Sequence, residues 1–204
     1  MKEIKLVDLD DPQLYPWQKE VLKDPARFKV LIWHRRARKT STALLNMMHK
    51  MVLDPGTYWF LFPSYQEGKK TLWNDPTMVF SMIDPDLIAR KNEVELTLWI
   101  HALGGKKSVF SIMGTERYEL LRGPDVKGVI FDEYDTIKKG AWEKVIQPIL
   151  RANQGWAWFI GTPEGKNNLF ELDTFAKLGK DPAWKSWVLP VSETQTLVYS
   201  TEEL

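Results

Sequence analysis

The stretch "LIWHRRARKTSTALL" (residues 31–45) decides how the chain reads. Leu31-Ile32-Trp33 closes an apolar run of strand length, and a basic cluster follows at once. From Lys39 onward Leu44, Met47, Met48, Met51 and Val52 recur on one helical face until "DPG" (54–56) stops the repeat. Strand, short loop, then a helix opening on Lys-Thr is the layout of a phosphate-binding loop. Such loops wrap backbone N–H groups round the phosphates at a helix N-terminus; the lysine reaches the β- and γ-phosphates, and the next Ser or Thr holds Mg²⁺. Lys39-Thr40 stands where that pair belongs. Against G-x-x-x-x-G-K-[ST], however, the two glycine positions hold Trp33 and Arg38. Glycine is used there because the backbone passes close to the phosphate or takes positive φ. On the loop alone three readings stay open: a nucleotide site with altered residues, a basic patch for nucleic acid, and charge on a solvated turn.

Outward from the loop, candidate strands are "FKVLIW" (28–33), "TYWFLF" (57–62), "VELTLWI" (94–100), "SVFSIM" (108–113), "GVIFDE" (128–133), "WAWFIG" (156–161) and "SWVLPV" (186–191). Helices are expected at 15–23, 64–73, 140–150 and 166–178 besides the one from Lys39, and "STEEL" (200–204) reads as a helix start. Several strands are apolar almost throughout, as when both faces are covered, whereas "VELTLW" alternates and suits an edge or a hairpin turning at "ALGGKK" (102–107). The alternation predicts one α/β domain over residues 1–204, with a mostly parallel central sheet flanked by helices. With 44% hydrophobic and 27% charged residues the chain is globular rather than disordered. A net charge of +1 supplies no global field, so any nucleic-acid contact must come from a local patch. The absence of cysteine excludes disulfides and thiolate metal sites, and His34, His49 and His101 are too scattered for a zinc cluster. No apolar stretch approaches the roughly 20 residues of a membrane span, so a soluble, cytosolic protein is expected.

Two more strand ends bear on the loop. "VKGVIFDEYD" (126–135) is an apolar strand ending in Asp132-Glu133, at the edge where open α/β sheets bind ligands. There Asp132 can hold Mg²⁺ through water while Glu133 orients and deprotonates an attacking water; the plainer reading is a strand ending in solvated acids. "WAWFIGTPEG" (156–165) ends in Gly161-Thr162-Pro163, whose hydroxyl can sense a γ-phosphate. Gln18, at the start of a helix, can read an adenine edge. Trp156 and Trp158 share a strand face and suit core packing or, alternatively, base stacking. Met47, Met48 and Met51 read as core filler, and Lys138 and Lys139 as a solvated loop or a DNA contact. The three sheet motifs in this order favour a nucleotide hydrolase.

On these residues the chain resembles the ATPase domain of the large terminase subunit of tailed bacteriophages, from about residue 14 to about 190. That family often carries a loop of the form G-R-R-x-G-K-T. Here "HRRARKT" (34–40) keeps Arg35, Arg36, Lys39 and Thr40, with His34 and Arg38 in place of the glycines. Leu121-Arg122-Gly123 matches the family's "LRG", and Gly161-Thr162-Pro163 its coupling motif. The resemblance implies a RecA-like P-loop ATPase of the ASCE type that couples ATP hydrolysis to translocation of double-stranded DNA into procapsids. It implies a nucleotide-binding set of Gln18, Arg35, Arg36, Arg38, Lys39, Thr40 and Ser41, and Mg²⁺ on Thr40 and Asp132. It makes Glu133 the catalytic base and Arg122 the arginine finger, a group worth about 10³–10⁵ in rate, with Arg117 as the alternative. Arg35 and Arg36 are left between phosphate, a neighbouring subunit and solvent. Implied partners are the portal protein, the small terminase subunit and further copies in a ring, with a monomer when isolated, in the cytoplasm of the infected bacterium. Nothing here matches the acidic cluster of the family's nuclease domain. The rival expectations are a helicase-like translocase, and a non-catalytic assembly or DNA-binding module whose altered loop no longer binds ATP.

Overall fold

The structure, a computed structural model, describes residues 11–121 and 125–194; Arg122, Gly123 and the "STEEL" segment lie outside the described residues. Helix α1 (Pro16–Lys23) opens on a proline, whose fixed φ suits a first helical turn. Strand β1 (Phe28–Trp33) leads into α2 (Lys39–Leu53), and β2 (Thr57–Phe62) into the short α3 (Tyr65–Gly68). Residues Lys69–Trp73 continue α3 as a wider π turn, Asn74 N–H reaching back to Lys69 O at 2.9 Å. After α4 (Val79–Met82) come β3 (Ile88–Asn92), β4 (Thr97–His101), β5 (Lys107–Gly114) and β6 (Val126–Phe131). A π segment (Ala141–Ile146) runs into α5 (Gln147–Asn153), then β7 (Trp156–Gly161), α6 (Asn168–Lys177) and β8 (Trp184–Leu189).

Among the described residues, eight strands lie in one sheet of order β3-β4-β5-β2-β6-β7-β1-β8. The six strands from β5 to β8 pair in parallel, and β3-β4-β5 is an antiparallel meander at one edge. The sheet is thus mostly parallel, as expected, and strands 28–33, 57–62 and 156–161 fall where the apolar runs put them. Strand β3 was not expected. Its sequence "IARKN" lacks an apolar pattern because it is the outer edge, where charge protects unpaired backbone. Strand β4 begins three residues late because the turn before it takes Glu93 to Leu96, the latter at φ 47. Strand β8 is shifted to end before Pro190.

The faces divide by alternation along each strand. Leu31 and Trp33 join Leu44, Met47, Met51, Phe60 and Trp158 under α2. Val30 and Ile32 join Val129, Phe131, Trp142, Phe159 and Trp184 under α5 and α6. Core packing is therefore where the methionines and Trp158 go, Trp158 being 2% exposed.

Candidate nucleotide site

The ends of β1, β6 and β7 are adjacent on one edge of the sheet, because β7 pairs with both of the others. Lys39, 8% exposed, donates from Nζ to Thr162 Oγ1 at 2.9 Å. Thr40 Oγ1 donates to Asp132 Oδ2 at 2.8 Å. Residues 123 and 92 positions apart are thus joined in pairs.

The loop reaches this arrangement without glycine. Arg36 and Arg38 both stand in the left-handed region, at φ 68 and 62. For an L side chain that conformation costs about 1–2 kcal/mol. Neighbouring groups hold it: Arg38 O heads α2 by accepting from Thr42 N–H (2.9 Å), Thr42 Oγ1 (2.7 Å) and Ser41 Oγ (3.0 Å). The Arg38 guanidinium lies 5.2 Å from the centre of the Tyr15 ring, and Trp17 Nε1–H donates to Ala37 O at 3.3 Å. His34, at the family's first glycine position, is buried and meets Thr194 Oγ1 through Nε2 at 2.5 Å. At Trp33 the backbone is ordinary strand, so of the two glycine positions only that of Arg38 demands a left-handed residue. The fifteen-residue α2 then points its N-terminus, with its partial positive charge, at the loop.

Gln18 lies beneath the loop. It is 3% exposed, its Nε2 donates to Thr42 Oγ1 at 2.7 Å, and its Oε1 accepts from Tyr15 N–H at 3.0 Å. Inside the protein the amide braces Thr42, whose hydroxyl donates to the Arg38 carbonyl at the head of the loop helix. Of the other expected ligands, Arg35, Arg36 and Arg38 are exposed around the loop, and Arg117 is exposed on the turn after β5.

On the acidic side, Asp132 follows β6, held by its N–H to Leu61 O at 2.8 Å. Its carboxyl is pushed up to about 7, by burial first and by the neighbouring Glu133, against the pull of the Thr40 hydrogen bond and the Lys39 charge. The Thr40 hydroxyl and the Asp132 carboxylate form an all-oxygen donor pair of the kind that Mg²⁺ takes alongside phosphates and waters. Glu133 is half-buried in a left-handed backbone, φ 49. Burial raises its pKa too, Lys39 and Arg35 lower it, and Asp135 and Glu164 raise it.

Asp135 had no assigned role, although it stands in the quoted "DEYD". Its Oδ1 is buried without a hydrogen-bond partner among the described residues. A Cβ on Gly161 would come within 2.7 Å of that oxygen and 2.8 Å of Leu169 Cδ2, so a larger residue there has to displace those two side-chain ends. The spacing of carboxylates along "DEYD" was the available signal.

No family model matches the chain. Among curated proteins, the terminase large subunits of Thermus phage G20c and Thermus virus P23-45 are each 26% identical to it over 168 residues, covering 76% of this chain and 35% of theirs. The chain therefore spans about a third of the length of these relatives. Among solved structures, the large terminase ATPase domain of Thermus phage P74-26 superposes with a TM-score of 0.76 at 20% identity, over 90% of this chain and 84% of that one. The large terminase of a second thermophilic bacteriophage, solved in complex with ADP, gives 0.69 at 15% identity over 93% of this chain and 48% of that one. The fold is that of a large terminase ATPase domain.

Proposed function

We propose that this chain, a relative of the bacteriophage terminase large subunits with the fold of their ATPase domain, hydrolyses ATP to drive DNA packaging. The observation that carries the reading is the meeting of Lys39 with Thr162 and of Thr40 with Asp132 at neighbouring strand ends. ATP places its phosphates on the N-terminus of α2, where the loop N–H groups and the helix dipole favour negative charge. Lys39 carries the β- and γ-phosphates, with Arg35, Arg36, Arg38 and Ser41 around them. Thr40 and Asp132 would hold Mg²⁺, which would supply positive charge against the phosphates. Glu133 takes a proton from the attacking water, and its raised pKa makes it a stronger base for that step.

Coupling follows from the same hydrogen bonds. Lys39 donates to Thr162, and a γ-phosphate competes for that ammonium, so Thr162 registers whether the phosphate is present. Arg122 supplies the finger. The DNA, the portal and the neighbouring copies are engaged by the larger protein of which the relatives are examples.

Steady-state phosphate release from ATP, with Lys39→Ala as control, tests the reading. Turnover that the substitution lowers by at least about a hundredfold is expected. Equal rates for the two proteins would remove the catalytic reading and leave a non-catalytic assembly module.

A further inference from the structure

Strands β1 and β8 are parallel neighbours, so both end on the edge that carries the phosphate loop. The chain leaving β8 therefore runs beside the loop. It makes a short turn there (Val191–Glu193), closed by Thr194 N–H donating to Val191 O at 3.0 Å. Between this turn and the loop stands His34, where the resembled G-R-R-x-G-K-T loop has a glycine. We propose that His34 is a positioning residue for the phosphates, its ring tying the Arg35 carbonyl to Thr194 and so setting which way the loop peptide faces. The inference rests on the reading of Lys39-Thr40 as the phosphate site.

His34 and Thr194 are both buried, and both nitrogens of the ring are engaged. Nδ1 meets the Arg35 carbonyl; a carbonyl only accepts, so Nδ1 carries a proton. In the neutral ring Nε2 is then the acceptor, and the Thr194 hydroxyl donates to it at 2.5 Å. The main chain of His34 is held as well. Its N–H donates to Leu189 O at 3.1 Å, and its carbonyl accepts from Ala37 N–H at 3.4 Å, closing the turn over residues 34–37. What this fixing does follows from peptide geometry. The C=O and N–H of a planar trans peptide point in opposite directions. With the Arg35 carbonyl drawn to the ring, the Arg36 N–H faces the other way. Phosphate is attracted by N–H groups and repelled by carbonyl oxygens, so rotation of this peptide would set an oxygen where the loop needs a donor. A glycine loop leaves such rotation to the backbone; here a side chain stops it. Arg36, at φ 68, follows directly on the held peptide. Left-handed residues persist where their surroundings over-determine them, and the His34 ring is one such restraint.

Calorimetric titration with ATP and with inorganic tripolyphosphate, each with Mg²⁺, tests this on wild type, Lys39→Ala, His34→Ala, His34→Asn, His34→Gln and Thr194→Val. The asparagine amide nitrogen takes the place of Nδ1 and still donates to the Arg35 carbonyl, whereas the glutamine amide takes the place of Nε2 toward Thr194. His34→Ala and His34→Gln are each expected to weaken ATP and tripolyphosphate alike by at least about fivefold, with His34→Asn within about twofold of wild type. Thr194→Val, which loses only the bond that steadies the ring, should weaken both by about threefold. A ring needed only to fill buried space would make Asn and Gln equally damaging, and that result would overturn the proposal, as would wild-type affinity in His34→Ala. Thr194→Val keeps the test alive if the His34 variants do not fold, and unchanged affinity there would overturn the tie to the turn after β8. Tripolyphosphate binding that still depends on Lys39 would then leave the ATPase reading standing. If wild type bound neither ATP nor tripolyphosphate, that reading would fall and the proposal with it.

Discussion

The ends of β1 and β6 stand on the same edge of the sheet with only β7 between them, yet they meet their requirements in opposite ways. At the end of β1 the residues change and the backbone is kept: Arg38 occupies a glycine position at φ 62, supported by Thr42, Ser41 and Tyr15. At the end of β6 the residues keep the acid pair and the environment changes. Asp132 is 2% exposed, with its carboxyl pushed up to about 7. A phosphate loop is a demand on conformation, which another residue can satisfy if its neighbours offset the strain. A pair of adjacent carboxylates is a demand on chemistry, which burial tunes but no other side chain replaces.

The largest effect should come from the chemical side. Glu133→Gln is expected to lower kcat by about 10²–10⁴ while ATP still binds, measured by turnover and titration together. Wild-type turnover in that variant would break the contrast at its root.

The pH dependence comes next. Asp132 has a higher pKa folded than the 3.8 of the free group, so between about pH 4 and 7 the folded state holds a proton that the unfolded chain has lost. Stability from this group is full below about pH 4 and falls as pH rises toward 7. Thermal melting of the nucleotide-free protein should show that decline, and Asp132→Asn should flatten it. A slope unchanged by Asp132→Asn would place the titration elsewhere.

Gly161→Ala sharpens the link between the two ends. The added methyl meets Asp135 Oδ1 and Leu169 Cδ2, and about 1–3 kcal/mol of overpacking is expected in denaturant unfolding. The smallest effect belongs to the loop itself. Arg38→Gly should change stability by less than about 1 kcal/mol, because relief of the left-handed backbone offsets the flexibility gained by the unfolded chain. Arg38→Ile, which cannot take that conformation cheaply, should cost more and weaken ATP. If glycine harmed ATP binding as much as isoleucine, the arginine side chain rather than its backbone would be the requirement.

Much of this was legible without coordinates, for a local reason. Strand β1, α2 and the lysine between them follow from an apolar run, a turn and a 3.6-residue repeat, all within one window of sequence. The same holds for "TYWFLF" and "WAWFIG". Edge strand β3 was not legible, because Arg90 and Lys91 are there to protect an edge that exists only once the sheet forms. The direction of the Gln18 amide was not legible, because its spacing marks the start of a helix without showing which way the side chain turns.

The sequence by itself determined the elements and the chemistry available at their ends: lysine and threonine after one strand, two carboxylates after another, glycine and threonine after a third. Only the tertiary structure decided that these ends are neighbours, that Lys39 meets Thr162 and Thr40 meets Asp132, and that Arg38 stands in for a glycine. Local pattern records backbone preference and apolar period. Strand order, burial and the direction of a side chain are set by partners far away along the chain, through the packing of both faces of the sheet.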